Sequence, residues 1–345
     1  MNAKLRFYLI ILTFLLMFVN YSFNRGECYQ SNTKVELQSQ NGSEKTYTVK
    51  RNESLKEIAG RRDIYNNPFA WPVLYVANKT LIKNQSLRLD GITIKIPAML
   101  PGEKIKYDKI RDNYFRATFF SDLKKIIKNS KQFLIVTSKD WDSTKANLIY
   151  YEKKDGKMMN MSENIPVNLG RSGLGWGNGL IDFNTSSGSI KHEGDGRAPA
   201  GIFKLSYAFG YLPIESVSWL KYPYKQVTTK VECVDDTTSM YYNTLVDDNK
   251  TNKTWNSSEI MRRDDELYKF GIFVDHNSSP QIPGCGSCIF IHIQSGFGKP
   301  TSGCTSLPEE QLVKLLHWLD VNKKPILIQL TESEFKKISL ILNLN

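Results

Sequence analysis

Apolar and polar residues are arranged differently in successive parts of the chain, and each arrangement predicts a different element. The first is a mostly apolar stretch from Phe7 to Val19 that follows two basic residues. It is shorter than the about 20 residues that span a bilayer, and a basic flank is typical of an export signal. We therefore predict an export signal or N-terminal anchor over residues 1–24, which places the bulk of the chain in the periplasm or cell envelope. Residues 20–27 contain no small-x-small cleavage site, so an uncleaved anchor stays open.

A second pattern predicts a small domain over residues 46–97. Residues near both ends alternate as in strands, and Ser54 followed three residues later by Glu57 is a capping box that predicts the start of a helix. A second helix is predicted by helically spaced residues, namely Trp71, Leu74, Tyr75 and Asn78. The predicted order is strand, helix, helix, strand.

The pattern changes again near residue 131. Residues 98–130 carry apolar side chains spaced for one helix face and predict a helical connector. Residues 131–331 instead contain short apolar, β-branched runs separated by turn-forming residues, which predict a mainly β domain.

The candidate chemistry lies in residues 286–307. The apolar run Cys288–Ile291 predicts a strand that leads to His292, and a Gly/Pro/Ser-rich loop returns the chain to Cys304, twelve residues later. Cysteine attacks as its thiolate, and its ordinary pKa of about 8.5 leaves little thiolate at neutral pH. A histidine within reach is the usual proton acceptor, so we predict that Cys304 is a nucleophile and His292 its base.

Two neighbouring features fit this interpretation. Gly303 has no side chain, so a substrate carbonyl can approach the backbone closely and the turn's N–H groups are natural oxyanion donors. The sequence Ser306-x-x-Glu309 predicts a capping box and a helix whose N-terminus would favour a nearby thiolate. A Cys/His pair is also compatible with ordinary burial of a cysteine in a core.

Other side chains are candidates for supporting roles. His276 also follows an apolar run and is a rival base or an orienting group, while Arg197, in the turn GDGRAPAGIF, is a candidate partner for a substrate carboxylate. In an oxidising compartment Cys285 can pair with Cys288, or either can pair with Cys233, but Cys304 must stay reduced to react.

The net charge is +11 and the pI is near 9.2. Nucleic-acid binding would normally require basic residues clustered in a stripe, whereas here they are scattered among Asn, Asp and Glu. We therefore predict no nucleic-acid partner. An anionic cell envelope suits an exported basic protein better.

Residues 46–97 resemble a LysM module in YTVKRNESLKEIA, WPVLYVAN and DGITIKIP. Asn52 and Glu53 stand where that family usually has Gly-Asp. The resemblance implies a βααβ domain that binds the N-acetylglucosamine-containing glycan strands of peptidoglycan.

Residues 131–331 resemble the YkuD-type L,D-transpeptidases, whose motif is a histidine, a spacer, and Ser/Thr-His-Gly-Cys. His292, Thr301, Gly303 and Cys304 match the motif, whereas Ser302 replaces its second histidine. The family usually has Asn or Arg two residues after the cysteine, where this chain has Ser306, and its spacer is shorter than the commonest form. The GSCIF-x-H and P-T-x-G-C stretches match one branch closely.

This resemblance implies a β-sandwich-like catalytic domain without a metal or organic cofactor. Cys304, activated by His292, would attack the diaminopimelate carbonyl of a tetrapeptide stem and expel D-alanine, while Thr301, Ser302, Arg197 and His276 would contact substrate. An amine of another stem or of a protein would then resolve the thioester. Two alternatives stay open: water as the acceptor, which gives a carboxypeptidase or hydrolase, and a non-catalytic peptidoglycan-binding protein.

Overall fold

The computed structural model describes residues 45–51, 53–82, 89–183, 187–247 and 249–342. The predicted export signal lies outside these residues. Of the helices within them, none is long and apolar enough to cross a membrane. The described residues form two compact units, one ending at Lys125 and the other beginning at Ile126.

The smaller unit has the predicted order strand, helix, helix, strand. Strands β1 and β2 pair antiparallel, and the capping box at Ser54 and Glu57 forms, with Glu57 N–H donating to Ser54 Oγ at 3.2 Å. Apolar side chains from both helices, from β2 and from the residue after β1 fill its core, including Val49, Ile58, Leu74 and Ile94. Its elements are β1 (Thr46–Thr48), α1 (Leu55–Gly60), a 3₁₀ turn (Pro68–Ala70), α2 (Trp71–Ala77) and β2 (Thr93–Lys95).

Helix α3, Pro101–Asn129, occupies the range predicted as a helical connector. It begins in the smaller unit and ends in the larger one. The larger unit is mainly β, as predicted. Its strands are β3 (Gln132–Ser138), β4 (Lys145–Lys154), β5 (Lys157–Asn160), β6 (Ile165–Asn168), β7 (Leu174–Trp176), β8 (Ala198–Gly210), β9 (Tyr224–Gln226), β10 (Val231–Val234), β11 (Leu245–Asp247), β12 (Ser258–Ile260), β13 (Phe270–Val274), β14 (Phe290–Ile293), β15 (Thr305–Leu307) and β16 (Ile326–Thr331).

The main sheet closes on itself, which corrects the predicted sandwich-like arrangement. Its strand order is β13-β14-β15-β6-β4-β3-β16-β8, and β8 also pairs with β13. Closure is possible because β8 is long: Gly201–Lys204 pairs with β16, and Leu205–Gly210 pairs with β13 across a register shift. A closed sheet leaves no unpaired edge between its first and last strands.

Two helices cover the outside of this sheet, α4 (Glu309–Trp318) and α5 (Glu332–Leu342). Helix α4 packs on β13 and β14 and buries the predicted apolar face of Leu312, Leu315 and Leu316. Helix α5 packs on β16 and β3. Strands β13 and β14 are therefore buried along their whole length, which fixes the backbone that carries His292.

The capping box predicted at Ser306 is wrong. Ser306 belongs to β15 and is only 1% exposed, and α4 begins after Pro308 without a side-chain cap. The strand pairing of Ser306 with Asn168 holds its backbone extended, so the hydroxyl cannot cap the helix.

Candidate active site

Two parallel neighbouring strands bring the predicted nucleophile and base to one place. In the pairing of β14 with β15, His292 lies opposite Ser306, and Cys304 immediately precedes β15. A cavity of about 530 Å³ is lined by Cys304 and His292 together with Thr301, Ser302 and Gly303. This volume is within the usual range of small-molecule sites, about 300–1,000 Å³.

Cys304 is held as a thiol in this structure. Its Sγ accepts a hydrogen bond from the Phe290 N–H at 3.3 Å and donates to the Cys288 carbonyl oxygen at 3.6 Å. Burial raises the pKa of the Cys304 thiol well above its ordinary value, and the negative charge of Glu259 raises it further. No hydrogen bond joins Cys304 to His292 among the described residues.

His292 is oriented by the backbone beside it. Its Nδ1 lies 2.8 Å from the Ile293 carbonyl oxygen, which can only accept, so Nδ1 carries the proton and Nε2 carries the lone pair. The Tyr268 ring meets the imidazole edge-on, with centroids 5.1 Å apart. Burial lowers the pKa of His292 to about 4, so the ring is neutral at physiological pH.

Thr301 and Gly303 shape the turn that carries the nucleophile. Thr301 Oγ1 donates to the Cys304 carbonyl oxygen at 2.6 Å and accepts from the Gly303 N–H at 3.1 Å. Gly303 has a φ of +151°, and a Cβ there would lie 3.1 Å from the Arg197 carbonyl oxygen. Thr301 therefore stabilises the turn, and the Gly303 N–H is already engaged. Ser302 is exposed at the cavity wall.

Two predicted substrate contacts lie away from this cavity. The Arg197 guanidinium donates to the Leu174 carbonyl oxygen at 2.8 Å and pairs with Asp142 at 3.1 Å. His276 is 1% exposed and its Nε2 donates to the Cys285 carbonyl oxygen at 2.9 Å. Neither side chain lines the cavity. Arg197 is held by a carbonyl and a carboxylate that are distant in sequence, and His276 is held by a backbone carbonyl.

A second wall of the cavity comes from β12, a strand of the three-stranded sheet β11-β10-β12, and from the segment after it. Glu259, Arg263 and Tyr268 from this region line the cavity together with Cys304 and His292. A Cys233–Cys288 disulfide joins β10 to the residues just before β14. It decides between the alternatives left open for the cysteines, since Cys288 pairs with Cys233. Cys304 is a free cysteine.

Sequence reasoning missed the charged residues of this wall. It also missed two cations elsewhere in the lining of the cavity. Lys191 is buried and forms a 2.7 Å ion pair with Asp195, and Arg171 donates its backbone N–H to the Thr301 carbonyl oxygen. Both line the cavity. They come from polar turns and a glycine-dense loop, where no pattern distinguishes a cavity residue from a solvated one.

The described part of the chain contains no group of three or more His, Cys, Asp or Glu side chains arranged to hold a metal ion. The arrangement can instead support acyl transfer, because it combines a thiol, a neutral imidazole with a free lone pair, and a cavity of peptide size.

Comparison with known proteins identifies the larger unit. The family model described as the YkuD L,D-transpeptidase catalytic domain matches residues 141–328, more than half of the chain. The match includes Cys304, His292 and the three-stranded wall. Searches of curated proteins and of solved structures returned no match.

Proposed function

Because the chain belongs to the YkuD family of L,D-transpeptidase catalytic domains, we propose that it is an exported peptidoglycan L,D-transpeptidase in which Cys304 is the nucleophile and His292 the base. The observation that carries the proposal is that both side chains line one cavity, where Nε2 of His292 has the free lone pair. The substrate is the tetrapeptide stem of peptidoglycan.

The first half-reaction starts from a neutral pair. Cys304 has a raised pKa and His292 a lowered one, so the proton leaves the sulfur only as the sulfur attacks the carbonyl carbon. The thiol proton passes to Nε2 of His292, and His292 then gives it to the departing amino group of D-alanine. A thioester on Cys304 and free D-alanine are the products.

Backbone N–H groups are the proposed donors to the oxyanion formed in this step. The Gly303 N–H is bonded to Thr301, whereas the Cys304 N–H has no partner among the described residues. We assign the Cys304 N–H as the donor nearest the reacting carbon. One such donor typically contributes about 10²–10³-fold to the rate.

Cations around the cavity suit the stem peptide. Arg171, Lys191, Arg263 and Lys299 line it, and a tetrapeptide stem carries several carboxylates. Lys191 and Arg263 already have carboxylate partners within the protein, Asp195 and Asp265. We therefore assign Arg171 and Lys299 as the cations that bind the stem.

The smaller unit has a proposed role in attachment to peptidoglycan. Its order of strand, helix, helix and strand is that of the LysM module which its sequence resembles. We propose that it binds glycan strands and that the N-terminal segment exports the chain to the periplasm or cell envelope.

Muropeptide analysis tests the proposed function. Wild-type protein incubated with tetrapeptide-rich peptidoglycan is expected to give 3→3 cross-linked dimers, and Cys304→Ala is expected to give none. Cys285→Ala is the matched control, because it removes the other buried thiol of the described residues. Tripeptides without dimers would favour a hydrolase, and an active Cys304→Ala variant would exclude the proposal.

A further inference from the structure

Glu259 is a carboxylate of the active-site cavity that the steps above leave unused. It lies on β12 in the second wall of the cavity, and its Oε1 accepts a hydrogen bond from the Tyr268 hydroxyl at 2.5 Å. Its second oxygen, Oε2, has no hydrogen-bond partner among the described residues. Because the side chain lines the cavity, this oxygen is available to a donor group on a bound molecule.

Covalent and packing contacts fix Glu259 relative to the nucleophile. In the pairing of β12 with β10, Glu259 lies opposite Cys233. Cys233 is bonded to Cys288, whose carbonyl oxygen accepts the thiol hydrogen of Cys304. On the other side, Tyr268 contacts both Glu259 and the ring of His292. The carboxylate is therefore held to the catalytic pair from two directions.

The charges in the cavity indicate what this carboxylate binds. Burial raises the pKa of Glu259, the Tyr268 hydrogen bond and the charge of Arg263 lower it, and Asp235 and Glu193 raise it. Negative charge on Glu259 also raises the pKa of Cys304, so the two groups oppose each other's ionisation. A cation bound at Glu259 would offset the repulsion between the negative charges of Glu259 and Cys304. Arg263 is already paired with Asp265 at 2.6 Å.

We propose that Glu259 binds the ammonium group of the acyl acceptor and takes its first proton, so that the thioester is resolved by a primary amine. The inference rests on the proposed function and specifies its second half-reaction. The reaction partner is thus an alkyl ammonium compound, as in a diamino-acid side chain or a protein lysine.

The acceptor amine loses two protons in this step, one to Glu259 and one to His292. The acceptor arrives as R–NH₃⁺ and loses one proton to Glu259, which becomes a neutral carboxylic acid. The free amine then attacks the thioester carbon, its second proton passes to His292, and the C–S bond breaks. His292 returns this proton to the Cys304 sulfur, and Glu259 releases its proton to solvent.

Acceptors of different basicity test the proposal in the full-length protein with its disulfide intact. At neutral pH a diaminopimelate-containing tripeptide carries a protonated side-chain amine, whereas hydroxylamine is uncharged and needs no first deprotonation. In Glu259→Gln we expect transfer to the tripeptide to fall by about 100-fold, the usual scale of acid–base catalysis. Hydroxamate formation and release of D-alanine from the tetrapeptide donor are expected not to fall below the wild-type rate, because removal of the Glu259 charge does not disfavour ionisation of Cys304.

Two further variants sharpen the test. Glu266→Gln changes an exposed carboxylate of the same segment that does not line the cavity, and both acceptors are expected to react at the wild-type rate. Tyr268→Phe removes only the hydroxyl that orients Glu259 and is expected to give a smaller but equally selective loss. Tyr268→Phe also tests the role of Glu259 if the Glu259→Gln variant does not fold.

The outcomes separate the two proposals. Unchanged tripeptide transfer in Glu259→Gln and Tyr268→Phe, or equal loss with both acceptors, would overturn the role of Glu259. D-Alanine release by Cys304→Ala at the wild-type rate would overturn the proposed function itself.

Discussion

The carbonyl oxygen of Cys288 accepts the thiol hydrogen of Cys304 at 3.6 Å, while the sulfur of Cys288 is bonded to Cys233. One residue therefore joins the proposed nucleophile to the second wall of the cavity. In the proposed mechanism, bound substrate draws the thiol proton towards His292.

Removal of the disulfide is expected to lower both stability and activity. Cys233 and Cys288 are 55 residues apart in sequence, and a cross-link over such a loop typically contributes about 2–4 kcal/mol. In the double variant Cys233→Ala/Cys288→Ala we expect a lower free energy of unfolding and slower acylation, because the wall is no longer fixed to β14. Urea unfolding and the acylation rate measure this. Cys285→Ala is the control, and equal acylation rates in the double variant and wild type would contradict the positioning role.

The pH dependence of acylation is expected to reflect the lowered pKa of His292. The base must be neutral, so activity falls as pH falls through its pKa, and burial moves this loss from the ordinary value of about 6.5 to about 4. The acylation rate of a chromogenic thioester or β-lactam, followed where circular dichroism shows a folded protein, measures the profile. An inflection near the ordinary histidine value would show that His292 is not buried as described.

Thr301 is expected to act by stabilising the nucleophile's turn. Thr301→Val removes the hydroxyl that contacts both the Cys304 carbonyl oxygen and the Gly303 N–H, whereas Thr301→Ser retains it. We expect the acylation rate to fall in Thr301→Val and to recover largely in Thr301→Ser. The lost hydrogen bonds are also expected to reduce the free energy of unfolding by about 1–3 kcal/mol. Equal rates in the two variants would indicate that the hydroxyl has no such role.

Gly303→Ala is expected to strain the same turn. Its φ of +151° is one that residues with a side chain rarely adopt, and such strain typically costs about 1–3 kcal/mol. The new Cβ would also lie 3.1 Å from the Arg197 carbonyl oxygen. Thermal unfolding and acylation assays measure the loss. Gly102→Ala in α3 is the control, because a Cβ there meets nothing within 4 Å, and its activity is expected to be unchanged.

The sequence predicted the parts of this site that are local in the chain. His292, Gly303 and Cys304 lie within one strand-turn-strand segment and line one cavity, and their catalytic roles stay predictions. Local pattern also predicted the helix-containing smaller unit and the apolar face of α4.

Features that depend on distant pairings were not predictable from local pattern. Apolar and polar residues alternate along a strand in the same way in a sandwich and in a closed sheet. The pairing of β8 with β13 therefore left no recognisable pattern in the sequence. Ser306 satisfies a capping-box pattern, but pairing with Asn168 overrides it. Arg197 has partners far along the chain at Asp142 and Leu174, and these take it away from the cavity.

The second wall of the cavity also depends on contacts between residues that are distant in sequence. The Cys233–Cys288 pairing depends on how a segment of irregular, polar sequence folds back on the main sheet. The position of Glu259 follows from that pairing. Its sequence context, two serines before it and Ile260 and Met261 after it, gives no sign that it lines the same cavity as Cys304.

The most direct test of the account is peptide-mapping mass spectrometry of the protein after incubation with a carbapenem, which traps a thioester-forming cysteine as a stable acyl adduct. We predict one adduct on Cys304 in wild type and in Cys285→Ala, and none in Cys304→Ala. His292→Gln is expected to acylate about 10²–10⁴ times more slowly, the range of a general base. No adduct on the wild-type protein with Cys304 reduced, or an adduct that persists in Cys304→Ala, would contradict the assignment of Cys304 as the nucleophile.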